Sequence, residues 1–276
     1  MIKHLLVPTD GSDRATTAIR YATAVAKQYG AKIHGLHVVD VRLLEGPILR
    51  DVSASLGTAP YANYQGNISM ILEERGKAAL EVVRKACEEQ GVPVELHLET
   101  GLVVRTIVES ATLTDLVILA RSGEHSEWLE GVLGSTTSSV VRRSERPVLI
   151  TGIETPGRNA FLLAYDGSSH ARRALQIAAD VSRDWSVPLH LLLVGEDHAT
   201  VWLDEAKSYL DPHGVSFEYT VRNGDPSETI VEHAREIGAD LLIMGAFGHS
   251  KVREWVVGST TAYVMNKVHC PVLLTR

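Results

Sequence analysis

The sequence predicts two tandem α/β domains, each a doubly wound, five-stranded parallel sheet with helices on both faces. Two observations support this fold class. Short apolar segments alternate with segments of helical periodicity along the chain, which is typical of βαβ units and of a parallel sheet. The order of segments in the first half also recurs in the second half, as expected when one structural unit is repeated.

Matched segments show the repeat directly. Residues 5–12 (LLVPTDGS) correspond to residues 162–168 (LLAYDGS), and the sequence TIVE at 106–109 recurs at 229–232. Because such matches fall in the same order along both halves, they divide the chain. We place the first domain at residues 1–151, the linker at 152–159 and the second domain at 160–276.

The elements of the first half follow from apolar periodicity and from glycine or proline breaks. Ala15, Ile19 and Ala22 share one face of a helix that Gly30 ends. Strands are expected at 3–9, 33–39, 92–98, 115–120 and 147–151, and helices at 13–29, near 68–90, at 102–112 and at 135–143.

The second half repeats this order with a shorter connection after its second strand. Strands are expected at 161–165, 188–194, 215–221, 240–245 and 271–275, and helices at 169–184, 199–211, 226–237 and 259–267. The first half instead has a long connection from Val41 to Asn67. Such a connection at a strand end is either a lid over a ligand or a disordered flap.

The last strand of each half, 147–150 and 271–274, begins with proline and is expected at a sheet edge. Two bare edges would favour aggregation unless they were covered. We therefore predict that these strands pair antiparallel, which would join the two domains as a pseudo-dimer.

Composition limits the function classes. The 276 residues have 45% hydrophobic and 22% charged residues, and a formal net charge of −7. This charge argues against a nucleic-acid partner. The sequence shows neither a signal pattern nor a membrane-length apolar run, so we expect a cytoplasmic protein without a membrane partner. Two cysteines suggest buried thiols, and no helical His or Cys spacing suggests a metal site.

The second half contains a glycine loop between an apolar run and a new helix. Gly245 and Gly248 are followed, after nine residues, by Gly258, Ser259 and Thr260. A helix that starts after such a loop presents free backbone N–H groups, and its dipole favours an anion there. This layout is typical of a phosphate site.

The first half has a related loop with two departures. Gly123 is followed, after ten residues, by Gly134, Ser135 and Thr136, and Ala120 replaces the first glycine. If this position needs a left-handed backbone, the alanine Cβ costs about 1–2 kcal/mol. The additional loop residue would also shift the amides, whereas Arg121 offers a charge that could pair with phosphate.

Together with an aspartate just after the first strand of each half, these loops resemble the universal stress protein family. The likeness covers both halves apart from the linker and one insertion. The family's signature is Gly-x2-Gly-x9-Gly-Ser/Thr plus that aspartate, and the second half fits it fully. The resemblance implies a Rossmann-like fold and an adenine nucleotide as ligand, ATP with Mg²⁺ being the form we expect.

The resemblance also implies the residues that hold the nucleotide. In the second half they are Ala164, Asp166, Val194, Gly245, Gly248, His249, Gly258, Ser259 and Thr260. In the first half they are Pro8, Asp10, Val38, Arg121, Gly123, Gly134, Ser135 and Thr136. A simpler interpretation stays open, in which the glycines form turns and the aspartates and serines cap helices.

Three function classes fit the sequence. The first is an ATP-binding stress-response regulator without efficient turnover and without catalytic residues, because no Walker-type lysine or clear general base is present. The second is a slow ATPase or nucleotidyl-transfer enzyme. The third is an interaction module with empty sites. We expect an unidentified regulatory protein as partner and leave self-association of whole chains open.

Overall fold

A computed structural model describes residues 2–44, 58–123, 133–152, 157, 159–246 and 258–276, with the backbone alone for 58–66. Its strands are β1 (His4–Pro8), β2 (Lys32–Asp40), β3 (Val94–Gly101), β4 (Leu116–Leu119), β5 (Val148–Ile150), β6 (Phe161–Ala164), β7 (Leu189–Val194), β8 (Phe217–Arg222), β9 (Leu241–Gly245) and β10 (Val272–Thr275). Its helices are α1 (Asp13–Tyr29), α2 (Val41–Leu44), α3 (Thr58–Gln90), α4 (Val103–Ala111), α5 (Ser135–Arg143), α6 (Ser169–Trp185), α7 (Ala199–Leu210), α8 (Pro226–Glu236) and α9 (Ser259–Lys267).

All predicted strands and helices are present, and one prediction about the long connection is wrong. Helix α3 was expected near 68–90 but begins at Thr58, and α2 occupies the start of the segment predicted as a loop. Helical periodicity is weak at the start of α3, where Gly66 interrupts it, so pattern alone set the boundary too late. The rest of the proposed lid, residues 45–57, lies outside the described residues.

The ten strands form one sheet in the order β3-β2-β1-β4-β5-β10-β9-β6-β7-β8. Within each half all neighbouring strands run parallel. The strand order reverses between β1 and β4 in the first half and between β6 and β9 in the second. Doubly wound sheets bind ligands beyond the carboxyl ends of the strands at such reversals.

The two halves join through β5 and β10. These strands pair antiparallel, with Leu273 opposite Leu149 and Val272 opposite Ile150, and all four side chains are buried. The predicted pairing is therefore confirmed. Each strand would be an edge in an isolated half, but both lie in the interior of the joined sheet.

Alternation along the strands separates the core into two layers. Leu5 and Val7 face a layer that includes α1, α3, α6 and α7, whereas Leu6 faces a layer that includes α4, α5, α8 and α9. Both cysteines, Cys87 and Cys270, are unpaired thiols in these layers, as expected. The packed layers hold the strand ends, and hence the candidate sites, in fixed positions.

Candidate functional site

In the first half, the ends of β1 and β4 meet at the strand-order reversal. The Thr9 N–H donates to Leu36 O at 2.9 Å, which carries the chain on beside the end of β2. Asp10 follows directly and lies against Gly123, because a Cβ built on Gly123 would be 2.3 Å from Asp10 Oδ2. The structure thus brings these two predicted residues together, and a Cβ at position 123 would displace the Asp10 carboxylate.

The two aspartates have a structural role in addition to any ligand contact. Asp10 Oδ1 accepts the Ser12 N–H at 3.0 Å and the Ser12 hydroxyl at 2.6 Å. Asp166 Oδ1 accepts the Ser168 N–H at 3.0 Å. Each aspartate therefore holds the turn before a helix, but Ser12 and Ser168 are the N-cap residues of α1 and α6, so the interpretation of the aspartates as caps is wrong. Because one carboxylate oxygen is fixed by the turn, the position of the other at the strand end is also set.

The helices that follow the glycine loops begin without a capping side chain. Gly134 and Gly258 are the N-cap residues of α5 and α9, with non-helical backbones (ψ 144° and 147°) and no side-chain cap hydrogen bond. Ser135 and Ser259 are exposed and occupy the first helical position, so their interpretation as N-caps is wrong. Without a cap, the first-turn N–H groups beside Thr136 and its counterpart Thr260 present the donor pattern that anions bind.

Each loop is tied to its helix by a threonine. The Thr137 hydroxyl donates to Ala120 O across 17 residues, and the Thr261 hydroxyl donates to Ala246 O across 15 residues, both at 2.9 Å. The first glycine loop is therefore longer than the second when it is counted between these hydrogen-bonded residues, as it also is between the motif glycines. Residues 124–132 and 247–257, including the predicted Gly248 and His249, lie outside the described residues.

The predicted backbone penalty at Ala120 does not apply. Neither Ala120 nor Gly245 adopts a left-handed backbone, since Ser186 is the one non-glycine with positive φ among the described residues and Gly245 is not among the positive-φ glycines. Gly245 is instead required by packing. A Cβ there would lie 2.9 Å from both Ala171 N and His170 Cβ at the start of α6.

The structure also contradicts the expected role of Arg121. Its guanidinium donates to Met265 O and, at 3.1 Å, to Cys270 O, which lie at and beyond the end of α9 in the other half. Burial lowers the pKa of Arg121, but a guanidinium stays charged in proteins. Arg121 therefore ties the two halves together, because both of its carbonyl partners belong to the second half.

The remaining predicted residues lie on adjacent strands near the candidate sites. Pro8 is buried at the end of β1, and Val38 is half-buried near the end of the neighbouring β2. Ala164 and Val194 are half-buried at the ends of the paired strands β6 and β7. These apolar surfaces next to an aspartate fit the flat, partly apolar base that the resemblance implies.

Two features were missed from the sequence. A cavity of about 630 Å³ lies between the halves, where the ends of α1 and α6 face the beginnings of β4 and β9, away from the nucleotide positions. In addition, His34, Glu95 and His97 bring potential metal-ligating atoms within 4.8 Å of one another. Both depend on contacts between distant segments, which helical spacing does not reveal.

Among the helices in the described ranges, none has the combination of length and hydropathy that a bilayer span requires. The sequence profile of the universal stress protein family matches residues 1–152 and 200–276. Universal stress protein Slr1230 of Synechocystis sp. is 30% identical over 287 aligned positions, which cover all of both chains. Universal stress protein MJ0531 of Methanocaldococcus jannaschii is 31% identical and aligns with 54% of this chain and 82% of its own length.

Solved structures support the same fold. The crystal structure of a universal stress protein from Archaeoglobus fulgidus superposes with a TM-score of 0.76 at 23% identity, covering 99% of this chain and 98% of its own. The strand order and the family profile both recur in the two halves. A relative also aligns over the full length of the chain. The chain therefore belongs to the universal stress protein family, in which it is a tandem member.

Proposed function

We propose that this stress-response protein is an adenine-nucleotide-binding regulator, with ATP and Mg²⁺ as the ligand of both halves and without efficient turnover. The observation that carries the proposal is the uncapped start of α5 and α9 next to an aspartate and a glycine loop. Backbone N–H groups and a helix dipole at these helix starts favour an anion, and the half-buried apolar strand ends lie at the strand-order reversals where such sheets bind ligands. Phosphate and adenine are the ligand parts that match these surfaces.

Turnover would need a group that activates water or a nucleophile. Asp10 and Asp166 are the carboxylates that follow β1 and β6 at the strand-order reversals, and in both an oxygen already binds a backbone N–H of the following turn. This arrangement favours a structural and ligand-positioning role. A turnover assay with ATP and Mg²⁺ separates the regulator from the slow ATPase or nucleotidyl-transfer alternative, because either alternative releases product at a rate proportional to enzyme.

The site itself can be tested with Gly258→Asp. The added carboxylate would face phosphate at the start of α9 and occupy space that the ligand needs. Hydrogen bonds to charged groups contribute about 1.5–3 kcal/mol each, so losing two should weaken binding at this half at least about 100-fold. Calorimetric titration with ATP and Mg²⁺ should show the stoichiometry fall from two to one.

Ser227→Asp is the matched control. It adds a carboxylate to the first turn of α8, a helix that Asp225 already caps through the Ser227 N–H at 2.9 Å. Its titration should be unchanged. An unchanged titration of Gly258→Asp, with thermal unfolding confirming the fold, would remove α9 from the site. Release of no nucleotide on denaturing the purified protein, together with no binding, would favour the interaction module.

The two halves are expected to differ in affinity, with the second tighter. Two of the three sequence arguments no longer apply, because Ala120 is unstrained and Arg121 is bound elsewhere. The longer first loop carries the ranking alone. Gly134→Asp leaves only the second half to bind and Gly258→Asp only the first, so their titrations compare the sites directly. A net difference of about 1.4 kcal/mol corresponds to tenfold, and equal affinities would contradict the ranking.

A further inference from the structure

A group of imidazole and carboxylate side chains lies on one face of the first half, where β2 and β3 begin. Strand register places His34 opposite Glu95 and Leu36 opposite His97. Residues opposite each other, and residues two apart on one strand, point to the same face. His34, Glu95 and His97 therefore converge, and we call them the histidine cluster.

The spacing of their ligating atoms fits a metal ion. His34 Nδ1 is 3.5 Å from His97 Nε2 and 3.9 Å from Glu95 Oε2, and His97 Nε2 is 3.7 Å from Glu95 Oε1. Ligands at about 2.0–2.2 Å from a tetrahedral zinc ion are about 3.3–3.6 Å apart. The two Glu95 distances involve different oxygens, and with one ligating atom per residue the three atoms lie within 4.8 Å of one another. Closing the cluster around an ion therefore needs side-chain shifts of up to about 1 Å.

A neighbouring histidine supports the orientation of His34. His4 Nδ1 lies 3.0 Å from the other ring nitrogen of His34, Nε2. Metal-ligating histidines commonly donate their second ring N–H to an acceptor, which fixes the tautomer. If His34 Nε2–H donates to His4, the lone pair of His34 Nδ1 points to the cluster.

We propose that His34, Glu95 and His97 form a binding site for a divalent transition metal, Zn²⁺ being the best match. Two imidazoles and one carboxylate are ligands that zinc accepts, and three protein ligands leave a fourth position for water. The side chains are 20%, 48% and 36% exposed respectively, so an ion can reach them. This site departs from the sequence-based expectation that the chain holds no metal.

The site is separate from the proposed nucleotide positions. His34 is near the start of β2 and Val38 is near its end, four residues or about 13 Å along the strand. In the structure, the Lys32 ammonium contacts Glu95 Oε2 of the histidine cluster at 2.5 Å. A bound metal would compete with this ammonium for the carboxylate. The proposal therefore predicts opposite effects on metal affinity: removing a histidine ligand should weaken binding, and removing Lys32 should strengthen it.

The experiment is calorimetric titration of the untagged full-length protein with Zn²⁺, repeated with Co²⁺ to record its visible ligand-field spectrum. The native protein should bind one equivalent with a spectrum of imidazole and carboxylate coordination. His34→Gln and His97→Gln should each weaken binding at least about 100-fold, since disturbing even a second-shell partner costs about 10–100-fold. Lys32→Ala should instead strengthen it about two- to fivefold by removing a competing surface charge.

His198→Gln, at an exposed position outside the cluster, is the matched control and should titrate as the native protein does. Thermal unfolding without metal checks that every variant is folded. Absence of Zn²⁺ binding, or equal affinity in a folded His34→Gln/His97→Gln double variant, overturns the proposal. Weaker binding in Lys32→Ala also overturns the assignment of Glu95 as a ligand, because removing its competitor can only favour the metal.

Discussion

Replacing Arg121 tests the role that the structure gives this side chain. Arg121→Met keeps the apolar stem but removes both hydrogen bonds to the carbonyls of Met265 and Cys270. Charged hydrogen bonds contribute about 1.5–3 kcal/mol each, and relief of guanidinium desolvation offsets part of the loss. We expect a net destabilisation of about 2–4 kcal/mol and a fall in Tm of about 4–12 °C.

The assay is thermal unfolding followed by circular dichroism, combined with ATP titration of the folded variant. Arg121→Lys should lie between native and Arg121→Met, because it keeps the charge but cannot reach both carbonyls in one fork. ATP affinity of the first half should change little. If Arg121→Met keeps the native Tm and instead weakens ATP binding at the first half, the guanidinium serves phosphate and our reasoning is wrong.

Three further predictions concern packing, pH and thiol reactivity. Gly245→Ala should destabilise the protein by about 1–3 kcal/mol in denaturant unfolding, because its Cβ would meet backbone at Ala171 from 2.9 Å. Asp115 accepts two backbone N–H groups at the start of β1, at 2.7 and 2.9 Å, and these bonds lower its pKa despite burial, which opposes them. Its stabilising effect is thus present above its ordinary pKa near 3.8 and is lost as pH falls further, so the stability gap to Asp115→Ala should narrow in acid. Burial raises the pKa of Cys87 to about 11 and that of Cys270 to about 12, so iodoacetamide should label neither thiol at pH 8 until the protein is unfolded.

Local pattern was sufficient for much of the fold. Apolar strands, helical faces and a repeated order predicted each strand and every helix except α2, because each of the predicted elements buries a face with its own period. The pairing of β5 with β10 also followed from sequence, since proline at each strand start indicated an edge that needed covering. The early start of α3 could not be predicted from the sequence, because Gly66 and the two prolines of the 41–67 segment are typical of a loop.

The errors at the candidate site share one physical cause. The sequence shows that Arg121 is near a glycine loop, but its direction depends on the two carbonyls that the other half presents. Gly245 was interpreted through backbone conformation, although the constraint comes from the start of α6. The histidine cluster forms only through strand register. Spacing along one segment cannot report contacts between segments far apart in the chain.

The Arg121 tie has a consequence for the origin of two-domain chains. The equivalent position in the second half is Ala246, a buried residue whose carbonyl receives the Thr261 hydroxyl. Alanine has no side-chain donor, so the Arg121 contact has no counterpart at this position of the second half. Two identical subunits related by a two-fold axis would make every such contact twice, whereas fusion into one polypeptide releases each copy from that symmetry. One half can then carry a contact that its twin does not repeat at the equivalent position.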